Sequence, residues 1–180
     1  MSAKQTGSPS NKFKTAVESI PEVANGYRPG LQALTNADTR KIKVGNTGLL
    51  SGSVDIDKCT KDKYPEENRW DYALGYNDKA YFVEVHGATT GEIKTVISKA
   101  EWLKSWLKQT GKPLREIQAS DTLYWIATGK VAILPTSSYH RNLDKHKIRL
   151  VGTVLNYWCP LNFSESWREK RADSIWRNQP

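Results

Sequence analysis

The stretch Arg69-Trp70-Asp71-Tyr72-Ala73-Leu74-Gly75-Tyr76-Asn77-Asp78-Lys79-Ala80-Tyr81-Phe82-Val83-Glu84-Val85-His86 predicts a β-hairpin. Each half alternates bulky apolar or aromatic side chains with smaller or polar ones, the period of two that is typical of a strand. Asn77 and Asp78 separate the halves, and both residue types tolerate the positive φ angles of a two-residue turn. The sequence therefore predicts two antiparallel strands joined at Asn77-Asp78.

The position of the turn decides which side chains share a face of this hairpin. With the turn at Asn77-Asp78, Asp71 lies opposite Glu84. With the turn at Asp78-Lys79, Asp71 lies opposite His86 instead. Both registers place Asp71, Glu84 and His86 on one face and the bulky apolar side chains on the other, whereas a three-residue turn would reverse the face of one strand.

The face that carries these polar residues has two interpretations. Two carboxylates that face each other across a ladder repel, and a hairpin that keeps Asp71, Glu84 and His86 together suits a divalent cation bound by carboxylate oxygens. The alternative is an ordinary solvated face on which Arg69 or a nearby lysine neutralises Asp71. The residues of the hairpin alone leave both interpretations open.

Composition limits the classes of partner. The chain has 180 residues, which fits one domain with a sizeable core. It carries 27 Lys and Arg against 19 Asp and Glu, a net charge of +8, which favours a polyanionic partner, nucleic acid ahead of an anionic membrane surface. Cys59 and Cys159 lack the spacing of a zinc site, and no apolar run has the length of a signal peptide or a membrane span. We therefore expect a cytoplasmic protein with no membrane partner.

The order of the predicted elements indicates a mixed α/β fold. Residues 1–11 are small and polar, and we expect them to form a disordered tail. Residues 12–180 are predicted to form a single domain, in which a helix over 12–24 precedes strands over 41–44 and 49–57 and then the hairpin. These elements predict a central mixed β-sheet flanked by helices.

The clearest helical pattern in the chain follows the hairpin. Apolar residues recur at i, i+3, i+4 and i+7 and predict a core-facing stripe of Ile93, Val96, Ile97, Ala100, Leu103 and Leu107. Lysines occupy the other side of this helix. Lys94 and Lys99 are the two nearest the strand–helix junction, from which a side chain can reach a phosphate. A buried strand over 122–128 is predicted next, then a loop or short helix over 136–147 and a strand over 148–157.

The acids of the hairpin sit within a pattern that a known family shares. The order helix, three strands, long helix and strand, with Asp71 on one strand and Glu84-Val85-His86 on the next, resembles the PD-(D/E)XK nuclease superfamily, which has the restriction-endonuclease-like fold. The resemblance covers roughly residues 12–135, the nuclease-like core, and leaves 136–180 as a C-terminal extension. Asp71 matches the family's Asp, Glu84 its second acid, and His86 the position of its Lys.

The resemblance implies a metal-dependent nuclease that hydrolyses phosphodiester bonds of DNA or RNA. Asp71 and Glu84 would bind Mg²⁺ or Mn²⁺, and the backbone carbonyl of Val85 would complete the protein ligands. In that chemistry the metal polarises the scissile phosphate and lowers the pKa of an attacking water. Glu18 on the first helix is the candidate for a further acid.

His86 departs from the family's pattern. Lysine is a persistent cation near a phosphate, whereas histidine, with an ordinary pKa of ~6.5, is mostly neutral at pH 7. His86 would then act as a general base or an extra metal ligand, and Lys99 or Lys94 would supply the cation from the helix. The alternative is a catalytically inactive member of the same fold, a nucleic-acid- or protein-binding subunit of a larger assembly. A small α/β protein of another kind is the third hypothesis.

A basic cluster follows the nuclease-like core. Arg141, Lys145, Lys147 and Arg149 are predicted to contact a nucleic-acid backbone rather than its bases, with a solvated loop as the alternative. The chain has no G-x-S-x-G nucleophile motif and no phosphate-cradling Gly-rich loop, which argues against a serine hydrolase and against nucleotide hydrolysis. The sequence leaves open whether the protein works as a homodimer or as a subunit of a complex.

Overall fold

The predicted hairpin forms the centre of a five-stranded mixed sheet. A computed structural model describes residues 11–157 of the chain. The predicted tail up to residue 10 and the part of the predicted extension from residue 158 onward lie outside the described residues. The strands are β1 (Ile42–Val44), β2 (Leu50–Asp55), β3 (Tyr72–Tyr76), β4 (Lys79–His86), β5 (Gln118–Ala127), β6 (Ile148–Leu150) and β7 (Leu155–Tyr157).

The main sheet has the strand order β2-β3-β4-β5-β6. The first three strands form an antiparallel meander, and β4, β5 and β6 are parallel to one another. The remaining two strands, β1 and β7, form a separate parallel pair in which Ile42 is opposite Leu155. The predicted class, a mixed sheet with flanking helices, is therefore confirmed.

Helices connect and cover these strands. They are α1 (Lys12–Glu18), α2 (Asn36–Thr39), α3 (Ile56–Thr60), α4 (Ile93–Gln109), α5 (Lys112–Glu116) and α6 (Ser138–Lys145). Asn11, which the sequence assigned to the tail, is the N-cap of α1, and its side chain accepts a hydrogen bond of 2.8 Å from the backbone N–H of Lys14. Within residues 11–157, no helix combines the length and the apolar character needed to cross a membrane.

The predicted two-residue turn and its register are confirmed. Asn77 and Asp78 have φ angles of 48° and 59°, which matches the turn whose twist suits a hairpin. Tyr76 pairs with Lys79, and the pairing continues to Tyr72 opposite Val83, one step before the two acids. Asp71 therefore stands opposite Glu84, as the first of the two sequence registers predicts.

Both faces of the hairpin are buried. Successive side chains point to opposite faces, and each face packs on its own apolar core. The face with Ala73 and Phe82 packs on α1 and α4, and the face with Tyr72, Leu74 and Val83 packs on a smaller cluster. That second cluster is covered by residues from the segment before α2 and from the β1–β7 pair: Leu34, Ile42 and Leu155. The interpretation of the acid-bearing face as solvated is therefore wrong.

Helix α4 lies along the first of these faces, as the apolar stripe predicts. Ile93, Val96, Ala100, Leu103 and Leu107 are buried, while Ile97 packs partly buried against the same core. Trp106, which the stripe omitted, is also buried. This packing places the N-terminal half of α4 next to the start of β3 and the end of β4.

Several predicted boundaries were wrong for local reasons. The strand predicted to reach residue 57 ends at Asp55, whose side chain caps α3 by accepting from the backbone N–H of Lys58 at 2.8 Å. The strand predicted over 148–157 is two strands in different sheets, separated by Gly152 at a φ of 83°. Residues 138–145 are helical, and β6 extends the main sheet beyond residue 135.

Candidate functional site

Asp71 and Glu84 converge on the ammonium of Lys99. Lys99 Nζ donates to Asp71 Oδ1 at 2.8 Å and also to Glu84 Oε1. The two acids are tied to each other's backbone as well: the N–H of Asp71 donates to Glu84 Oε2 at 3.1 Å, and the N–H of Val85 donates to Asp71 Oδ2 at 2.9 Å. Two neighbouring strands and one helix therefore fix a single cluster, which we call the acid pair (Asp71 and Glu84) with its lysine.

The fold holds each member of the cluster by a different element. Asp71 directly precedes β3, and its carbonyl accepts from the N–H of Ile56 at 2.8 Å, where α3 begins. Glu84 lies on the central strand β4, and its side chain is 0% exposed. Lys99 comes from the second turn of α4, and its side chain is 14% exposed. A carboxylate this deeply buried requires a partner of opposite charge or a proton.

Burial and a second acid control the charge of the cluster. Burial, followed by the neighbouring carboxylate of Asp71, raises the pKa of Glu84 to about 8, against the opposing attraction of Lys99. Burial alone would lower the pKa of the Lys99 ammonium, but the two carboxylates outweigh it and raise that pKa. The cluster therefore holds its lysine charged and can exchange a proton at Glu84 near neutral pH.

His86 lies beside the acid pair and is oriented by another acid. Its Nε2 is 2.8 Å from Glu92 Oε2, and its Nδ1 is 3.7 Å from Glu84 Oε1. Its carbonyl accepts from the backbone N–H of Thr128 at 3.0 Å. The imidazole thus bridges a buried acid and a half-exposed one. Sequence reasoning missed Glu92, because only the path of the chain between β4 and α4 brings it back to His86.

Four of the predicted site residues lie together in the structure, and others lie outside this cluster. Asp71, Glu84, His86 and Lys99 form one cluster. Lys94 is exposed at the start of α4 and has no bond to the acid pair. Glu18 is half exposed, and its ion pair within the described chain is with Lys14 at 3.7 Å.

Arg69 is not the counter-ion of the acid pair. Its Nε donates to Asp57 Oδ1 at 2.9 Å, so of the two counter-ions expected for Asp71, Arg69 is wrong and a nearby lysine, Lys99, is confirmed. Asp55 caps α3 and lies near enough to Asp71 for their charges to interact. Asp55, Asp57 and Asp71 therefore place three carboxylates around the junction of β2, α3 and β3.

The donor atoms of the cluster fit a hard divalent cation in part. Within residues 11–157, no group of three or more His, Cys, Asp or Glu side chains is arranged to hold a metal. The acid pair offers two carboxylates whose oxygens already meet at one cation, the Lys99 ammonium. The Val85 N–H points toward Asp71, and the carbonyl of a strand residue points to the same side as its N–H. Two carboxylates and a carbonyl, with waters and a substrate phosphate, suit Mg²⁺.

The predicted basic cluster is divided between a helix, a turn and a strand. Arg141 and Lys145 are exposed on α6, where a guanidinium nitrogen of Arg141 donates to the carbonyl of Thr136 at 3.0 Å. Lys147 lies in the turn after α6, and Arg149 lies on β6. Of the two predictions for residues 136–147, a loop or a short helix, the helix is confirmed over 138–145. Contact of these residues with a nucleic acid stays a prediction.

Comparison of the chain with protein-family profiles, with curated proteins and with solved structures returned no significant match in any of the three.

Proposed function

We propose that this protein is a metal-dependent nuclease that hydrolyses phosphodiester bonds of DNA or RNA. The observation that carries the proposal is the convergence of Asp71, Glu84 and Lys99, two acids and a lysine, at one partly buried point. The order of α1, three antiparallel strands, α4 and a parallel strand supports it, because that is the order in the family that the sequence resembles. The net charge of +8 favours a polyanionic substrate.

Asp71 and Glu84 are the residues that would hold Mg²⁺ or Mn²⁺ in this protein, with the Val85 carbonyl beside them. A bound divalent cation supplies Lewis-acid polarisation of the phosphate and a more acidic water. Because burial keeps the pKa of Glu84 near 8, Glu84 must release its proton before it can serve as a carboxylate ligand. We therefore expect activity to rise with pH through that range.

Lys99 replaces, from the helix, the cation that the resemblance expects at position 86. Its ammonium lies against both acids, so a small change in its side-chain torsions would turn it toward a phosphate bound at the same point. His86, oriented by Glu92, is placed to accept a proton from an attacking water. The lysine provides positive charge, and the histidine–glutamate pair provides a base.

A second function, a catalytically inactive binding subunit of the same fold, is favoured by one specific observation. The Lys99 ammonium bridges both carboxylates, which is the position that a divalent cation would need. In an inactive protein, Lys99 would permanently neutralise the acid pair and the cluster would serve stability alone. The two functions differ in whether a metal displaces this ammonium.

A cleavage assay tests the proposal directly. Purified protein is incubated with single- and double-stranded DNA and RNA in Mg²⁺ or Mn²⁺, with EDTA as the metal-free control. We expect cleavage that falls by at least ~10³-fold in Glu84→Gln and Asp71→Asn, since each change removes a charged ligand of the cation. Glu22→Gln is the matched control, because Glu22 is a partly buried glutamate that accepts from Trp106 near the far end of α4, away from the site.

Two further variants separate the two functions. Under the nuclease proposal, Lys99→Met retains metal binding by calorimetry but loses cleavage, and His86→Lys, which replaces the base by a cation, also lowers cleavage. Under the binding-subunit alternative, the wild type binds no metal and cleaves nothing, and Lys99→Met creates metal binding without cleavage. If neither the wild type nor Lys99→Met binds metal, the acid pair is not a metal site under either function.

A further inference from the structure

A separate pocket lies toward the other end of α4 from the acid pair. Lys99 and Lys108 are nine residues apart on this helix, which corresponds to roughly 14 Å along the axis. The pocket has a volume of about 220 Å³ and is formed by the second half of α4, by α5, by the first half of β5 and by the turn between α6 and β6. None of its residues belongs to the cluster around Glu84.

The lining of this pocket is strongly basic. Four cations and one carboxylate line it: Lys104, Lys108, Arg115, Lys147 and Asp121. Within the described part of the chain, the side chains of Lys108, Arg115 and Lys147 form no hydrogen bond or ion pair. Three cations therefore face one concave surface with only Asp121 in the pocket to balance them.

Lys104 lies in the pocket close to the other cations. Its ammonium donates to the carbonyl of His146 at 2.6 Å. Burial lowers the pKa of Lys104, and the charges of Lys147 and Lys108 lower it further against the attraction of Glu101 and Asp121. Like charges gathered around a partly buried lysine cost free energy, which a bound anion would recover.

The backbone at Lys147, just after α6, adopts an uncommon conformation. Lys147 has a φ of 61°, a left-handed value that few residues other than glycine and asparagine adopt. Its N–H donates to the carbonyl of Asp144 at 3.0 Å, and its carbonyl accepts from the N–H of Leu123 at 2.9 Å. The positive φ ends α6, and the two backbone bonds fix where Lys147 stands at the edge of the pocket.

We propose that this pocket binds a phosphate group, carried either by a nucleic-acid strand or by a small phosphorylated compound. Arg115 offers a planar pair of donors, and the lysines offer point charges, the combination that recognises phosphate oxygens. Leu107 and Leu123 contribute an apolar part of the lining that a sugar or base attached to the phosphate can contact. Binding here does not depend on the metal chemistry of the acid pair.

The test measures binding by the full chain in EDTA, so that cleavage plays no part. The probes are inorganic pyrophosphate, followed by calorimetry, and a fluorescent single-stranded oligonucleotide, followed by anisotropy. Lys108→Ala/Arg115→Ala removes two pocket cations. The matched control is Arg40→Ala/Lys43→Ala, which removes one arginine and one lysine at exposed positions outside the pocket.

We expect the pocket variant to weaken binding of at least one probe by about 10-fold, and the control to change it by less than about two-fold. Loss for the oligonucleotide alone identifies a nucleic-acid phosphate, and an equal loss for pyrophosphate shows that a small phosphate suffices. Lys147→Gly removes a third cation while suiting the positive φ, so it should weaken binding without lowering the melting temperature. If neither probe binds, or if the pocket and control variants lose the same amount of binding affinity, the proposal is overturned.

Discussion

Glu22 and Glu84 are two glutamates with little exposure that meet a lysine in opposite surroundings. The side chain of Glu22 is 9% exposed and that of Glu84 is 0% exposed. Glu22 accepts from Trp106 Nε1 at 2.6 Å, from the Tyr64 hydroxyl at 3.2 Å and from Lys63. Burial raises the pKa of Glu22, but these donors together outweigh it, so its pKa lies below the ordinary value.

Glu84 accepts from fewer hydrogen-bond donors than Glu22, and a second carboxylate competes for its lysine. It accepts from Lys99 and from the N–H of Asp71, but the Asp71 carboxylate shares the same lysine. Its pKa is therefore raised to about 8 by burial and by Asp71. Complete burial, fewer donors and a second acid together distinguish Glu84, whose charge is available for chemistry, from Glu22, which holds the fold together.

The largest expected difference between the two glutamates appears when each loses its lysine. We expect Lys99→Met to lower the free energy of unfolding by about 3 kcal/mol above the pKa of Glu84, because it leaves two facing carboxylates without a counter-ion. Lys63→Met should change stability little, because the side chain of Lys63 is 60% exposed and Glu22 keeps two other donors. Urea denaturation of both variants measures the difference, and equal losses would contradict the comparison.

The pH dependence of stability should separate the two residues next. Between pH 4.5 and about 8, folded Glu84 keeps a proton that the unfolded chain releases, so stability falls as pH rises. This fall should be absent in Glu84→Gln.

The contribution of Glu22 to stability changes with pH in the opposite direction and in a lower pH range. Its lowered pKa stabilises the fold above pH 4.5, and this contribution is lost as pH falls below that value. Glu22→Gln should therefore alter the acid limb of the stability curve and leave the fall between pH 4.5 and about 8 unchanged. Thermal denaturation across the range distinguishes the two limbs, and a wild-type curve that is flat above pH 4.5 would refute the role of Glu84.

Removing the second acid should make Glu84 resemble Glu22. In Asp71→Asn the side-chain oxygen still accepts a hydrogen bond, but the repelling charge is gone. We expect the pKa of Glu84 to fall by about one unit, equivalent to ~1.4 kcal/mol. Carboxyl-carbon NMR titration of the wild type and the variant measures it; an unchanged pKa would mean that burial alone sets the value.

The smallest expected effect removes one donor from Glu22. Trp106→Phe keeps an aromatic ring against Trp102, whose centroid is 6.1 Å away, but deletes the indole N–H. We expect a loss of about 1 kcal/mol in the free energy of unfolding and a rise in the pKa of Glu22. Denaturation of this variant in the Glu22→Gln background is the control, since most of the loss should then disappear.

The sequence predicted the hairpin and its register because both depend on local properties. The alternation of side chains and the pair Asn77-Asp78 act within a few residues of one another. The phase of α4 also distinguishes the two candidate lysines. Lys99 follows the buried Val96 by three positions and flanks the core stripe, whereas Lys94 precedes it by two and falls on the opposite side.

The parts of the structure that the sequence did not predict depend on distant packing. The bond between Glu22 and Trp106 joins residues 84 positions apart, and no local pattern marks it. The phosphate pocket likewise combines residues from α4, α5, β5 and the turn after α6. The split of residues 148–157 into two strands follows from Gly152, since the strand pattern continues on both sides of it.

The pairing of β1 with β7 affects how the chain reaches its folded state during synthesis. Ile42 and Leu155 meet in parallel strands, and the N–H of Leu155 donates to the carbonyl of Lys41 at 2.8 Å. A nascent chain that has not yet exposed β7 can form the hairpin and α4 but leaves the apolar cluster around Tyr72 incompletely covered. Such a contact of long sequence separation forms late. We therefore expect that, until β7 pairs with β1, this apolar surface is open to a chaperone or to another unfolded chain.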